Sequence, residues 1–326
     1  MNEFELIAHL TRALPTNDSV LVGPGDDCAV LDLGMKDRVL LFKTDAVVEG
    51  IHFTADTPPE KIGHKALARC LSDIAAMAGT PTCALVTIAL PRDFQVEVLE
   101  GIYRGLSALA RRHDVAISGG ETTTNPERML LSIALVGWAP RGKATLRSGA
   151  KVGDAIFVTG QLGGSLAGRH LDFEPRLAEA RWLAAHFPIH AMMDVSDGLA
   201  GDLRHILNAS GVGAVLLGKS IPISRAAKER TRDLSAAAEG QPSSALPLPP
   251  GPRKSRLLAA LTDGEDFELL LTVASRDAVP LLDAWRAQFP DVPLTCIGRI
   301  TAGSGLKIKT EHGVHELQAH GYVHFA

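Results

Sequence analysis

The segment EKIGHKALARCLSDIAAMAGTPTCALVTIAL, residues 60–90, combines two hydrophobic periods in one continuous stretch. Up to Met77 its apolar residues recur at helical spacing, whereas CALVTIAL (83–90) is a compact apolar run of the kind found in buried strands. The pattern therefore predicts a helix followed by a strand. The same alternation continues on both sides, in a strand pattern at 39–44, a helical pattern at 95–112 and strand patterns at 115–118 and 129–138. It predicts an α/β or α+β unit that closes near residue 145.

A second unit is expected after residue 146, because AIFVTG (155–160) begins a new series of strand and helix patterns. A chain of 326 residues is long enough for two domains, which we place at 1–146 and 147–326. The segment GQPSSALPLPPGPRK (240–254) contains five prolines and little that would pack in a core. It is predicted to be a loop or an insertion.

Composition and charge exclude several classes of protein. Lys and Arg total 33 against 37 Asp and Glu, a net charge of −4, which argues against a nucleic-acid-binding surface. The four cysteines form no C-x-x-C pair, as expected in a reducing cytoplasm. The uncharged stretch 74–91 is interrupted by Gly79 and Pro81, so it is not expected to cross a membrane. Glu3 and Glu5 lie where a signal peptide would be basic.

Acidic residues occur in short strings that also contain glycine or serine, at the predicted ends of strands and helices. The six strings are PGDDCA (24–29), TDAVVEG (44–50), LSDIAAM (71–77), SGGETT (118–123), DVSDGL (194–199) and DGEDFELL (263–270). Carboxylates brought together repel one another unless cations neutralise them, and Mg²⁺ commonly bridges carboxylates to phosphates. The strings therefore favour Mg²⁺-dependent handling of a polyphosphate, with backbone N–H groups of the glycine-rich strings contacting phosphate oxygens.

Two other phosphate-binding motifs are matched only in part. GAVLLGKS (213–220) fits the P-loop expression, but AVLL is typical of a strand, and Pro222 follows where a helix would start. TGQLGGS (159–165) lacks the spacing of a dinucleotide-binding fingerprint. The sequence contains no G-x-S-x-G elbow and no evident Cys–His pairing, so no residue is predicted to act as a covalent nucleophile.

Taken together, the strings make the chain resemble the thiamine-monophosphate kinase family, in the superfamily that also contains aminoimidazole ribonucleotide synthetase and selenophosphate synthetase. The resemblance runs from about Phe4 to Phe325. Its motifs, in family order, are GDDCAVL, TDAVVEGIHF, KALARCLSDIAAM, ISGGETT, LRSGAKVGD, VTGQLGGS, DVSDGLAGDL, GEDFELL and GYVHF. VEGIHF and GYVHF point to the thiamine enzymes rather than to their relatives.

The resemblance implies ATP- and Mg²⁺-dependent phosphorylation of thiamine monophosphate to thiamine diphosphate, by direct in-line transfer of the γ-phosphate. It also implies an N-terminal domain that binds Mg²⁺ and ATP, with a mixed sheet that pairs in a homodimer. A C-terminal α/β domain would complete the nucleotide and substrate cleft. The family's partners are small molecules, so neither a nucleic acid nor a membrane is expected.

The residue roles implied by the resemblance form three groups. The Mg²⁺ ligands would be Asp27, Thr44, Asp45, Asp73, Glu121, Asp194 and Asp197. The ATP contacts would be Gly120, Glu121, Arg147 and Ser196. The thiamine end would be held by His52, Glu265 and Tyr322, whose ring suits a flat cation.

Four positions depart from the family pattern. Glu121 stands where Asp is usual, which adds one methylene to a predicted metal ligand. Lys43 stands where a small hydroxyl residue is common, so its ammonium either replaces a metal charge or points away. Ala78–Gly79 reverses the usual Gly–Ala order, and Asp263 replaces a second glycine. These departures leave the number of bound ions open.

Three alternatives stay open at the level of sequence. The first is another ATP-using synthetase or cyclase of the same superfamily. The second is a homologue that binds nucleotide but is catalytically impaired, an interpretation supported only by Glu121 and Lys43. The third is a metal-dependent phosphohydrolase, which would release phosphate from ATP without an acceptor.

Overall fold

The computed structural model describes residues 3–229, 254–319 and 321–322 of the chain. The described residues form two compact units. The first unit comprises residues 7–146 and 171–186, and the second comprises residues 3–6, 147–170 and the described residues from 187 onward. Residues 171–186, which fall inside the predicted domain 147–326, therefore group with the first unit. Most of the predicted loop at 240–254 lies outside the described residues.

The first unit contains a six-stranded sheet covered by helices. Its strands are β1 (Val20–Val22), β2 (Ala29–Leu31), β3 (Arg38–Val48), β4 (Thr80–Leu90), β5 (Ala116–Thr124) and β6 (Leu130–Pro140). The spatial order is β1-β2-β3-β6-β4-β5, and all neighbours are antiparallel except β4 and β5. The helices are α1 (Glu3–Thr11), which begins in the second unit, α2 (Pro59–Ala76), α3 (Val96–Arg112) and α4 (Leu177–His186).

The core of the first unit lies between this sheet and α2. Successive side chains of a strand point to opposite faces, and Val39, Leu41 and Val47 of β3 are buried on the face that packs against α2. In α2, Leu67 and Leu71 are fully buried, because the helix is covered by the sheet on one side and by α3 on the other. In a helix enclosed in this way most buried residues are apolar, so the charged residues that it buries, Lys65 and Asp73, are conspicuous.

The second unit contains a seven-stranded sheet. Its strands are β7 (Ala155–Thr159), β8 (Ile189–Asp194), β9 (Gly213–Leu217), β10 (Leu269–Val273), β11 (Leu294–Thr301), β12 (Leu306–Thr310) and β13 (Gly313–Glu316). The order is β13-β12-β9-β11-β7-β10-β8, with only β9 and β12 parallel. The helices are α5 (Leu199–Ser210), α6 (Arg256–Thr262) and α7 (Ala278–Gln288), and residues 225–229 are also helical. Ile156, Leu203, Leu270 and Leu306 lie in its core.

The α/β fold class predicted from the sequence is confirmed, and the structure adds detail that the patterns did not contain. The short strands β1 and β2 had no clear signal, and β5 continues through the glycines of SGGETT instead of ending before them. GAVLL forms strand β9, as predicted when GAVLLGKS was judged not to be a phosphate-binding loop. Among the helices of the described residues, none has the length and apolar character needed to cross a bilayer.

Candidate functional site

Five predicted metal ligands lie in the first unit, and we call three of them, Asp27, Asp45 and Asp73, the N-terminal carboxylate cluster. Asp45 follows Lys43 by two residues in β3, so both side chains lie on the face that packs against α2. On α2, Arg69 and Asp73 are four residues apart and therefore share one face. The strand period of two and the helix period of about 3.6 thus place these charged side chains opposite one another.

Two cations contact the carboxylates of this cluster. Lys43 Nζ lies 3.1 Å from Asp73 Oδ2 and 3.9 Å from Asp45 Oδ1. Arg69 Nε lies 3.5 Å from Asp45 Oδ2. Burial disfavours the charge on Lys43, but the charges of Asp73 and Asp45 outweigh that cost and hold its pKa well above the usual value. Lys43 therefore points into the cluster as a permanent ammonium.

Asp27 completes the cluster from the loop before β2. It is 2% exposed, and one of its carboxylate oxygens lies within 4.8 Å of an oxygen of Asp73. Two buried carboxylates at this separation require a nearby cation, because burial and like charge both disfavour their ionised forms. The donors are all carboxylate oxygens, the ligands that Mg²⁺ prefers. The residues present therefore fit a magnesium ion.

The other predicted ligands of the first unit do not share this face. Thr44 lies on the opposite face of β3, where its Oγ1 is 3.3 Å from Ser132 Oγ. Glu121 is exposed on β5. It pairs with Thr87 of β4, which pairs with Ser132 of β6, which in turn pairs with Ala46 of β3, so Glu121 lies on the same face of the sheet as Ala46. Three strand spacings of about 4.8 Å separate β5 from β3, so Glu121 lies about 14 Å across the sheet from Asp45's strand.

Gly120 is required by the backbone of β5. The register of β5 against β4 shifts where Ser118 and Gly119 of β5 lie opposite the single residue Leu85 of β4 and form a β-bulge. Gly120 follows the bulge and pairs with Val86. A Cβ on Gly120 would lie 1.8 Å from the carbonyl oxygen of Val86. The close approach of β4 therefore requires glycine at position 120, independently of its predicted contact with ATP.

His52 is positioned by its neighbours in the VEGIHF string. Its Nδ1 accepts a hydrogen bond from Val48 N at 3.0 Å, so in the neutral ring the proton lies on Nε2. Its carbonyl oxygen accepts a bond of 2.7 Å from Lys65 Nζ, which is fully buried in α2. Lys65 and Arg69 were not among the residues predicted from the sequence. The signal was the spacing of Lys65, Arg69 and Asp73 at intervals of four residues along one face of α2.

The second unit contains a separate acidic group, the C-terminal carboxylate cluster, formed by Asp194, Asp197 and Asp202. Asp194 ends β8 and is buried, and Asp197 lies in the loop before α5. Asp202 Oδ2 accepts hydrogen bonds from Asp197 N at 3.1 Å and Gly198 N at 3.0 Å, which fixes that loop. Burial and then the charges of Asp197 and Asp194 raise the pKa of Asp202 well above its usual value, and Arg147 opposes this rise. Sequence reasoning missed Asp202.

The predicted thiamine contacts of the second unit converge on the same loop. Glu265 N donates to Ser196 O at 2.6 Å, and Tyr322 N donates to Asp197 O at 2.8 Å. Glu265 has a φ of 54°, a left-handed conformation that is costly for a side chain other than glycine and that often marks functional sites. The motifs DVSDGL, GEDFELL and the start of GYVHF are thus brought together, whereas residues 323–325 of the last motif lie outside the described residues.

The glycine-rich string LGGS binds carboxylates of its own chain. Gly163 N donates to both oxygens of Asp266, at 3.0 and 2.9 Å, and Gly164 N donates to Asp263 Oδ2 at 3.0 Å. Asp266 is fully buried, and this burial raises its pKa to about 7 despite the hydrogen bonds from Gly163. These two amide groups therefore have structural partners in the DGEDFELL string of the same chain.

Comparison with known proteins agrees with this arrangement. The N-terminal domain model of AIR synthase related proteins matches residues 25–139, and the C-terminal domain model matches residues 151–310. The thiamine-monophosphate kinase of Rhodopirellula baltica is 40% identical over 304 residues, covering 91% of this chain and 87% of that protein. The chain belongs to the thiamine-monophosphate kinase family. The Bacillus subtilis thiamine-monophosphate kinase is 33% identical over the full length of both chains.

A solved structure of this family, AaThiL complexed with AMPPCP and TMP, has a TM-score of 0.78 to this chain. It is 27% identical and covers 99% of this chain and 97% of its own. The family and the two-domain α/β fold inferred from the motifs are thereby confirmed. The roles of the individual site residues stay predictions.

Proposed function

We propose that this chain transfers the γ-phosphate of ATP to thiamine monophosphate, giving thiamine diphosphate and ADP. The observation that carries the proposal is the N-terminal carboxylate cluster, in which Asp27, Asp45 and Asp73 are held together by β3, α2 and the loop before β2. Relatives named thiamine-monophosphate kinase, similar over nine-tenths or more of the chain, support the choice of acceptor.

The transfer needs positioning and charge neutralisation rather than a nucleophilic side chain, because the acceptor's own phosphate oxygen attacks. When bound, Mg²⁺ supplies the positive charge that neutralises and orients the ATP phosphates. We assign Asp27, Asp45 and Asp73 of the first unit as Mg²⁺ ligands. Asp194 and Asp197 of the second unit are likewise assigned as Mg²⁺ ligands. Thr44 and Glu121 are further proposed ligands.

The remaining roles follow the chemistry of each side chain. Arg147 is assigned to phosphate, since a guanidinium presents a rigid fork of donors that remains charged. Gly120, Glu121 and Ser196 are assigned to ATP. His52, Glu265 and Tyr322 are assigned to the thiamine end, where a carboxylate and an exposed aromatic ring suit a cationic heterocycle. Lys65 orients His52 through the carbonyl bond, and Asp202 orients the loop of Ser196 and Asp197.

We also propose a homodimer formed through the first unit's sheet, and a cytoplasmic location. The face of the sheet opposite α2 carries Phe42 and Leu85, which are 44% and 49% exposed. Apolar side chains on a sheet face favour contact with another surface. All four cysteines are free thiols, in agreement with a reducing compartment.

Phosphorus NMR of the purified protein with ATP, Mg²⁺ and thiamine monophosphate tests the reaction. We expect thiamine diphosphate and ADP to appear in equal amounts, and no turnover when the acceptor is omitted. Inorganic phosphate released without acceptor would instead indicate a phosphohydrolase. If ATP stays intact with acceptor and Mg²⁺ present, the kinase assignment is wrong.

A further inference from the structure

Arg204 of α5 donates hydrogen bonds to three backbone carbonyl groups. Its Nη1 donates to Ala200 O and to Ala319 O, each at 2.7 Å, and its Nη2 donates to Leu317 O. The side chain is half-buried. Because a guanidinium presents its donors in a rigid fork, a single Arg204 holds both carbonyl groups of residues 317 and 319 against the helix.

Two of these carbonyl groups belong to the described residues 317–319 and 321–322, which we call the C-terminal segment. At its start, Leu317 packs against the core of the second unit, and Leu317 N donates to Leu306 O at 2.8 Å. At its end, Tyr322 N donates to Asp197 O at 2.8 Å, just before α5 begins. The segment thus leads from the core to the loop of the C-terminal carboxylate cluster, and Arg204 binds it between these two points.

The C-terminal segment lies very close to α5 at two glycines. A Cβ on Gly321 would lie 2.3 Å from Asp197 O, and a Cβ on Gly201 would lie 3.2 Å from Gly321 Cα. Gly201 and Arg204 are three residues apart in α5, so they share one face of the helix. This face therefore packs against the segment at Gly201 and binds it at Arg204, and a segment released at Arg204 would carry Tyr322 away from its position.

We propose that Arg204 is a positioning residue for the acceptor, because it holds the C-terminal segment against α5 and so places Tyr322 at the thiamine end of the site. The inference rests on the proposed function, since it takes Tyr322 to contact thiamine monophosphate. It deepens that function by naming a residue outside the site that controls the affinity for the acceptor and not the affinity for ATP. Hydrogen bonds from a charged donor are stronger than neutral ones, so their loss releases the segment.

Steady-state kinetics of the full chain test the inference, with each substrate varied while the other is saturating. Arg204→Met removes the donors and keeps much of the side-chain volume. It is expected to raise the KM for thiamine monophosphate about tenfold and to change the KM for ATP by less than about twofold. Arg204→Lys keeps a charged donor without the fork and is expected to recover part of the loss. The matched control is Arg286→Met on α7, where Arg286 is 74% exposed and lies 3.6 Å from Asp283 of its own helix; both KM values should stay unchanged.

A second variant displaces the C-terminal segment without altering Arg204. Gly201→Ala places a methyl group against Gly321, and alanine favours the helix, so this variant is expected to fold. It should raise the KM for thiamine monophosphate by about two- to threefold and leave the KM for ATP unchanged. Circular dichroism confirms that each variant compared is folded. If Arg204→Met does not fold, Gly201→Ala and Arg204→Lys decide the test.

Combination with Tyr322→Ala shows whether Arg204 acts through the tyrosine. Tyr322→Ala alone should raise the KM for the acceptor, and adding Arg204→Met should then raise it by less than about a further twofold. A tenfold increase in both backgrounds, or equal increases in the KM for ATP and for the acceptor, would overturn the positioning role. An unchanged KM in Tyr322→Ala would overturn the inference while leaving the kinase assignment standing. If the parent forms no thiamine diphosphate, the proposed function itself is wrong and this inference with it.

Discussion

Gly120 offers a test that separates a structural role from a nucleotide contact, because its neighbour Gly119 provides an internal control. Both residues have positive φ, 132° for Gly119 and 156° for Gly120, so alanine is strained at either position. A Cβ on Gly119 would approach only Leu85 Cδ2, at 4.0 Å. A Cβ on Gly120 would lie 1.8 Å from Val86 O, whereas real Cβ contacts essentially never fall below 3.0 Å. The two variants therefore differ in steric overlap and in little else.

The expected cost follows from these contacts. Backbone strain at either glycine costs about 1–2 kcal/mol. For Gly120→Ala, β5 must also move away from β4, which adds about 1–3 kcal/mol for overpacking and about 1 kcal/mol for each ladder hydrogen bond lost. With one ladder hydrogen bond lost, we expect Gly120→Ala to lower the free energy of unfolding by about 3–6 kcal/mol, and Gly119→Ala by about 1–2 kcal/mol. The difference is a large part of a typical domain's stability.

Urea unfolding followed by circular dichroism and tryptophan fluorescence measures this difference, since Trp138 lies in the adjacent region of the same sheet, on β6. Equal unfolding free energies for the two variants would refute the steric argument. If both variants are as stable as the parent and only the KM for ATP rises in Gly120→Ala, then Gly120 acts through the nucleotide instead of through its close approach to β4.

Three further predictions address charge and position. Asp45→Asn and Asp194→Asn, made separately, should each lower kcat by a factor of about 100 or more while the protein stays folded, because each removes the charge of a carboxylate proposed to hold Mg²⁺; near-normal turnover at saturating Mg²⁺ in both would contradict the metal assignment. The pKa of Asp266 is about 7 in the folded chain, against 3.8 for an ordinary Asp carboxyl. Between these two pH values the folded state therefore binds more protons than the unfolded state, so the free energy of unfolding falls as pH rises through this range. Asp266→Asn should therefore gain about 2–3 kcal/mol of stability relative to the parent between pH 5 and pH 8, since about two pH units of that interval lie below the folded-state pKa, and urea titrations at both pH values measure this gain; a pH-independent difference would contradict the shifted pKa. Lys65→Met should raise the KM for thiamine monophosphate about tenfold and the KM for ATP much less, because Lys65 holds the carbonyl of His52; equal effects on both substrates in steady-state kinetics would contradict that positioning role.

The elements that the sequence predicted best are those whose period is long and whose burial is complete. The helix predicted from Glu60 to Met77 is α2 (Pro59–Ala76), and CALVTIAL lies within β4. The short strands β1 and β2 were missed, because three residues contain too little of the period-two pattern to be distinguished from loop. SGGETT was expected at the end of an element, but β5 continues through it past a β-bulge formed by Ser118 and Gly119.

The sequence predicted most of the acidic residues of the site, but it did not predict the cationic side chains that pair with them. Asp45 and Asp73 could be named from their motifs, but their approach depends on how β3 is placed against α2, which is a tertiary relationship. The same relationship brings Arg69 to Asp45 and Lys65 to His52. Local sequence showed that these cations are spaced along one helix face, but it did not show what that face meets.

Strand parity explains why two departures from the family pattern differ in consequence. Position 43 has the parity of Asp45, so a charge placed there acts directly on the N-terminal carboxylate cluster. Position 121 lies on the other face of the sheet and three strands away, so the methylene that distinguishes Glu from Asp does not alter this cluster within one chain. The number and affinity of Mn²⁺ ions bound per chain, with Mn²⁺ as a probe for Mg²⁺, can be measured by electron paramagnetic resonance. Lys43→Ser should therefore change Mn²⁺ binding, whereas Glu121→Asp should not. The opposite result would show that position 121, and not position 43, acts on the N-terminal carboxylate cluster.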